Sequence, residues 1–139
     1  MNISDYGAML YTQIIVGLAS APATMYVALC TQEPATNGLA SNLIEPADGT
    51  GYSRKTIDTA NWSLVSSDTP VVTNTISFTW TPAVDWTSVG WVALCTDATT
   101  DQVYCWTEIT PFTGVAGRLY TLDSETLTLS ISGPIQAVT

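Results

Sequence analysis

Beyond Pro22 the chain consists of short runs of β-branched and aromatic residues separated by turn-forming residues. Such runs predict β-strands, and their even spacing is typical of an antiparallel sandwich or jelly roll. In one run Ile76, Phe78 and Trp80 alternate with small hydroxyl residues, the pattern of a strand with one buried face. The predicted strands are Thr24–Thr31, Tyr52–Ile57, Trp62–Val65, Val71–Trp80, Val89–Thr96, Gln102–Ile109, Gly117–Leu122 and Thr126–Ser132.

One helix is predicted before the strands. Apolar residues recur at the four-residue interval of a helix face, at Tyr6, Leu10, Ile14 and Leu18. Ser4 is suited to cap the first turn, and Pro22 lies beyond the end, so the helix is expected over about residues 4–19. The predicted fold is therefore mainly β, an antiparallel, jelly-roll-like β-sandwich with one N-terminal α-helix, and residues 1–139 form a single domain.

The composition narrows the classes of partner. Hydrophobic residues make up 46% of the chain and charged residues 11%. Part of the apolar surface is therefore expected to be buried against other subunits, and a homo-oligomer is predicted. Three cations face twelve carboxylates, for a formal charge of −9. Nucleic-acid binding needs clustered Lys and Arg, so no nucleic-acid partner is predicted. No run of 18 apolar residues predicts a membrane span.

The small-residue spacing of Leu18-Ala19-Ser20-Ala21 is that of a signal-peptidase site. The preceding stretch contains Asp5 and no Lys or Arg, which a signal peptide would need at its start. We therefore interpret these residues as a mature helix and expect no signal peptide.

The string Val-Ala-Leu-Cys-Thr occurs twice, at Val27–Thr31 and at Val92–Thr96. It could mark a duplicated unit, a cysteine site, or two strands that are buried on both faces. We favour two central strands because both faces of the string are apolar, and ancient duplication stays an open alternative.

A hairpin centred near Thr99-Thr100 would place Cys95 opposite Cys105, where a cross-strand disulfide is geometrically conceivable. The odd number of cysteines and the absence of a secretion signal favour small buried thiols instead. Whether Cys95 and Cys105 are bonded stays open at this point.

The chain lacks histidine, Cys-x-x-Cys and glycine-rich phosphate loops, which removes most catalytic and zinc-binding designs. Paired carboxylates could act on a glycosidic bond, and Asp85 or Glu108 beside tryptophans could also mark a sugar-binding patch. Acid-flanked loops at Asp97 and Asp101, and at Asp123 and Glu125, could hold calcium. Core tryptophans and solvated turn acids are simpler interpretations, so no catalytic residue, cofactor or metal ligand is predicted.

Two of the three cations are adjacent, at Arg54 and Lys55. They are expected to form ion pairs, either with Glu45 or with acids of a neighbouring subunit. The long connection Gln32–Thr50 is expected to be an interface loop. The predicted subunit interface therefore comprises the helix face and the basic pair, namely Tyr6, Leu10, Ile14, Leu18, Arg54 and Lys55.

Several segments together resemble a known family. They are Ala21-Pro22-Ala23-Thr24 leading into Met25–Leu29, Glu45 followed by Gly49–Arg54, Ile76–Phe78 before Trp86–Leu94, and a final strand at Leu127–Ile131. This order resembles small tailed-bacteriophage structural proteins of the tail-fibre-like or head-decoration-like kind. The resemblance implies a virion component without enzymatic activity.

The leading hypothesis is a capsid decoration or cement protein that stabilises the particle through subunit contacts. The alternative is a tail, baseplate or fibre-associated protein that binds a glycan receptor, and a glycan-active enzyme is a distant third. The expected partners are other copies and other virion proteins, such as the major capsid or tail proteins. The expected location is the virion, assembled in the host cytoplasm.

Overall fold

The computed structural model describes residues 1–39, 43–66, 71–98 and 102–130. Within these ranges the chain is mainly β, with antiparallel strand pairs and one α-helix near the N-terminus, as predicted. The elements are β1 Asn2–Ile3, α1 Asp5–Ile15, β2 Thr24–Cys30, β3 Lys55–Asp58, a 3-10 turn Thr59–Asn61, β4 Trp62–Ser66, β5 Val71–Asn74, β6 Phe78–Trp80, β7 Ser88–Cys95, β8 Val103–Thr113, β9 Tyr120–Leu122 and β10 Thr128–Ser130.

The strands of the described residues form three sheets. The main sheet has the order β1-β8-β7-β2-β3, the side sheet has the order β10-β5-β4, and β6 and β9 form a two-stranded sheet. One face of the main sheet packs against the two smaller sheets, which is the layered arrangement of a sandwich. The buried core between the layers includes Val27, Leu29, Phe78, Trp80, Val92, Leu94 and Leu122.

The two Val-Ala-Leu-Cys-Thr strings lie side by side in the centre of the main sheet. β2 pairs with β7 so that Ala28 faces Ala93, and each Val-Ala-Leu segment runs antiparallel to the other. Residues 27–30 and 92–95 are at most 1% exposed. The two copies are therefore central strands buried on both faces, as predicted.

The helix begins as predicted and ends earlier than predicted. The Ser4 hydroxyl accepts a hydrogen bond from the Gly7 N–H, which caps the first turn. The predicted end near residue 19 is wrong, because the helix ends at Ile15. Gly17 adopts a φ of 76°, and the Leu18 N–H turns back to the Gln13 carbonyl, so a left-handed glycine cap ends the helix before Pro22 can.

The prediction of one strand over Val71–Trp80 is wrong, because the segment splits into β5 and β6 in different sheets. The break follows the Asn74 side chain, which is fully buried. Its amide donates to the Ile76 and Asp123 carbonyls, and its carbonyl accepts from the Leu127 N–H. These bonds replace strand pairing and turn the chain at this point.

Cys95 and Cys105 are not opposite each other, and the register predicted for this hairpin is wrong by one residue. Cys105 pairs with Leu94 and Cys95 pairs with Val103, across a register shift at the end of the hairpin. Because a shift of one residue reverses the face of a side chain, the two thiols lie on opposite faces of the sheet. All three cysteines are free.

The remaining strand bounds differ at their ends. The predicted strand Tyr52–Ile57 begins at Lys55, and Gly117–Leu122 begins at Tyr120, after a turn in which Gly117 has a φ of 77°. The predicted end of the last strand, residues 131–132, lies outside the described residues. Among the described residues no helix has the length and apolar character to cross a membrane.

Candidate functional site

An apolar groove of about 530 Å³ opens between α1, the main sheet and the side sheet. Each of the three elements supplies part of its wall, with Leu10 and Ile14 from α1, Met25 and Leu94 from the main sheet, and Trp62 and Leu129 from the side sheet. None of the described side chains that line the groove is charged. A concave apolar surface of this size is suited to take apolar side chains from another molecule.

The N-terminal end of α1 is fixed to the main sheet by Ser4 and two glycines. The Ser4 N–H and hydroxyl contact the Tyr104 carbonyl on β8, at 2.9 and 3.0 Å. Gly7 lies directly against the same carbonyl, and the Gly38 carbonyl accepts a hydrogen bond from the Val103 N–H at 2.7 Å. These contacts fix the N-terminal end of the helix to β8, and with it the helix wall of the groove.

The structure divides the predicted helix face. The Tyr6 ring packs on Tyr104 with 5.8 Å between centroids, while Leu10 and Ile14 face the groove. Leu18 lies past the end of the helix and is 79% exposed. Three members of the predicted stripe thus contact their own chain, and the fourth projects into solvent. The role of all four in a subunit contact stays a prediction.

Exposed apolar side chains surround the end of α1. Ile15, Val16 and Leu18 are each more than half exposed, and we call these three residues the helix-end knob. On the other side of the groove, Leu64 of β4 is also more than half exposed and shares a face of the side sheet with Trp62. A cluster of exposed apolar side chains beside an apolar groove indicates a contact surface.

The basic pair lies away from the groove. Arg54 forms a two-pronged ion pair with Glu45, at 2.9 Å from Nε and 2.7 Å from Nη2, and its Nη1 donates to the Asp97 carbonyl. The structure thus shows the intramolecular alternative for Arg54, whose side chain is 2% exposed. Lys55 places its Nζ 5.8 Å from the Trp80 ring centre. A subunit contact through either residue stays a prediction.

Glu45 also anchors the long connection between β2 and β3. The Tyr52 hydroxyl donates to the Glu45 carboxylate and accepts from the Leu29 N–H of β2. Burial, and then the neighbouring Glu45 charge, raises the pKa of Tyr52. Leu43 of the same connection packs on the second face of the main sheet, beside Ala28 and Cys30. Leu43 therefore covers part of the sheet face that the smaller sheets leave open.

The acids and tryptophans that suggested sugar binding do not form an open aromatic site. Trp80, Trp86 and Trp106 are each at most 4% exposed. The Trp80 indole donates to the Ser53 carbonyl and the Trp86 indole to the Thr50 carbonyl. The Asp85 carboxylate accepts from the Ala116 N–H, while Glu108 is exposed on β8. These three tryptophans therefore serve as core residues.

The loops that suggested calcium have other contacts. The Asp97 carbonyl accepts from Arg54, and the Asp123 carbonyl accepts from Asn74. Asp101 lies outside the described residues. Within the described ranges, no three acidic or cysteine side chains lie close enough together to hold a metal ion.

The three thiols are buried in the main sheet, and burial raises the pKa of Cys95 and of Cys105 to about 12. Burial raises the pKa of Cys30 as well. Because a reactive cysteine needs an accessible thiolate, these residues are packing residues rather than nucleophiles.

Raising the pH from about 8 to about 10 is expected to destabilise the protein by about 1 kcal/mol per buried thiol. Thiols of the unfolded chain ionise near the ordinary pKa of 9.0, whereas the folded thiols keep their protons to a higher pH. The stability that each protonated thiol contributes is fully present below pH 9. It is lost as the pH rises from 9 toward 12, because in that range the thiols of the unfolded chain release their protons and the folded thiols do not. Urea unfolding at both pH values measures the effect, and Cys95→Ala should flatten the dependence. An unchanged free energy of unfolding would contradict the prediction.

The groove wall also contains a polar group without a partner. The Trp62 indole Nε1 is buried and has no hydrogen-bond partner among the described residues. An unsatisfied buried donor costs about 1–3 kcal/mol, so the Trp62 side chain stabilises this wall through apolar packing and not through a hydrogen bond.

A family model of the podophage GP4 fiber I protein gp80 matches residues 2–130. The chain belongs to this gp80 fibre family. The predicted resemblance to phage virion structural proteins is thereby confirmed. The match runs from β1 to β10, so α1, the groove and the Arg54–Glu45 pair all lie within the gp80 unit. No curated protein matches the chain.

Proposed function

We propose that the protein is a structural subunit of a podophage fibre, which acts by contacting other copies and neighbouring virion proteins and performs no bond-making chemistry. The family match over residues 2–130 is the observation that carries this proposal, because the family is named for a fibre protein. The exposed apolar knob and groove support a role in assembly, since such surfaces are normally covered.

The fibre location is favoured over the capsid decoration role that the sequence suggested first, because the family name points to the fibre. Receptor binding through tryptophan stacking has less support, since Trp80, Trp86 and Trp106 are buried. Charge also supports a purely structural role. Like-charged, acidic surfaces limit non-specific association, while uncharged surfaces remain for specific contacts.

Imaging of the phage particle tests the location. Antibodies against the purified chain, labelled with gold, are expected to mark the fibres of purified particles in electron micrographs. Antibody adsorbed with the purified chain serves as the control and should lose the label. Label on the capsid shell would replace the fibre assignment with decoration, and particles that contain none of the protein would overturn the structural role altogether.

A further inference from the structure

We propose that copies of this chain associate through a knob-and-groove contact, in which the helix-end knob of one copy enters the apolar groove of the next. This inference rests on the proposed structural role and specifies the surface through which that role is carried out. Its occupant is a second copy of the same chain.

The groove is the receiving half of the contact. It lies where α1 leaves the inner face of the main sheet uncovered, so Met25 and Leu94 form its floor. Leu64 continues the apolar wall outward from Trp62, on the same face of β4. The exposed Leu64 side chain thus extends the apolar surface beyond the groove, and in a single copy this surface is exposed to solvent.

The knob is the inserting half. Ile15, Val16 and Leu18 are 59%, 67% and 79% exposed, at the point where the Gly17 cap turns the chain out of the helix. Ile14 and Ala21, which flank the knob in sequence, both line the groove. Each copy therefore carries a projection and a depression next to each other, which is the requirement for a self-complementary contact that closes between copies.

Charge matches the knob to the groove, because neither the knob nor the described side chains that line the groove are charged. Two copies that each carry a formal charge of −9 repel each other wherever carboxylates meet, so they can associate closely at uncharged surfaces alone. The sequence from Tyr6 to Gln32, which includes the knob and the helix wall of the groove, contains no charged residue. A basic partner would be drawn instead to the acidic parts of the surface.

Light scattering coupled to size-exclusion chromatography of the full chain tests the contact, with protein concentration varied at high salt to screen the net charge. The wild-type chain should form a closed oligomer. Leu18→Asp should weaken the association by roughly 100-fold or more, because it places a charge in the contact. The Leu18 side chain is 79% exposed, so the variant should fold as the wild type does.

Leu119→Asp is the matched control, since Leu119 is 62% exposed, lies outside the groove lining and receives the same charge. It should associate as the wild type does. A wild-type chain that stays monomeric at every concentration overturns the inference, even where gold labelling finds the protein on fibres. Equal effects of the two substitutions, or no effect of Leu18→Asp, overturn it as well.

A covalent test locates the two halves independently. Copies carrying Leu18→Cys are mixed with copies carrying Leu64→Cys under a mild oxidant, and the three native thiols stay buried. Crosslinked pairs should form in the mixture much faster than in a mixture of Leu119→Cys with Leu64→Cys. Equal rates would overturn the proposed pairing of knob and groove.

Discussion

Replacing Gly7 with alanine is expected to lower the free energy of unfolding by about 3 kcal/mol, although alanine is the better helix former. A Cβ at this position would lie 2.1 Å from the carbonyl oxygen of Tyr104 and 3.0 Å from the Ile3 side chain. The carbonyl belongs to β8 and cannot move without disturbing the main sheet. The helix must therefore shift outward, which separates Ser4 from β8 and opens the groove wall.

Urea unfolding measures this effect, and Gly90→Ala is its matched control. Gly90 is buried in β7, but its nearest contact for an added Cβ is the Pro111 ring at 4.0 Å. Alanine there should be neutral or slightly stabilising, because glycine weakens a strand interior. The explanation would be wrong if Gly7→Ala matched or exceeded the wild type in stability.

Replacing Glu45 with glutamine is expected to cost about 3 kcal/mol of folding free energy, because it leaves the Arg54 guanidinium buried without its counter-charge. The Arg54 side chain is 2% exposed and donates hydrogen bonds to both carboxylate oxygens of Glu45. The same substitution weakens the Tyr52 contact, which holds the long connection against β2. Glu108→Gln, the same change at an exposed site on β8, should stay within about 0.5 kcal/mol of the wild type.

A double-mutant cycle with Arg54→Met separates the charge effect from general loss of packing. Methionine removes the buried positive charge. The loss of unfolding free energy in the double variant should therefore be smaller than the sum of the losses in the two single variants. Additive losses would show that Glu45 contributes through packing and not through its ion pair.

Patterns local to one segment predicted much of this fold. The apolar strings of β2 and β7 predicted strands buried on both faces, because a strand with no polar side has no face for water. The N-cap at Ser4 is also predictable from the sequence, since a hydroxyl residue before an apolar repeat can accept a hydrogen bond from an unsatisfied N–H group of the first turn.

The wrong predictions concern a helix end, a strand break and a strand register, which depend on a left-handed glycine, on a side chain bonded to distant residues and on a register shift. Gly17 ends α1 by its left-handed conformation, whereas the apolar repeat continues to Leu18. Asn74 divides a continuous β-like run through bonds to residues near position 125, which no local pattern reveals. The register shift beside Cys95 changes the face of one thiol, and no residue type marks it in advance.

The candidate site was predictable in part. The apolar helix face was visible in the sequence, and the charge-free stretch around it could have been read as a contact surface. The groove itself was not predictable, because its walls come from three elements that meet only after folding. The sequence alone does not decide between Glu45 and another subunit as the partner of Arg54, since pairing across nine residues of irregular chain has no periodic signal.

The Asn74 contacts also bear on the order in which the protein is completed. They join a corner in the middle of the chain to backbone groups that lie 49 and 53 positions later. During synthesis, β5 and β6 emerge well before those groups exist, so the Asn74 side chain can complete its hydrogen bonds only after Leu127 has left the ribosome. The side sheet, and with it one wall of the groove, is therefore expected to form after the main sheet, so a finished contact surface is exposed only once β10 has been made.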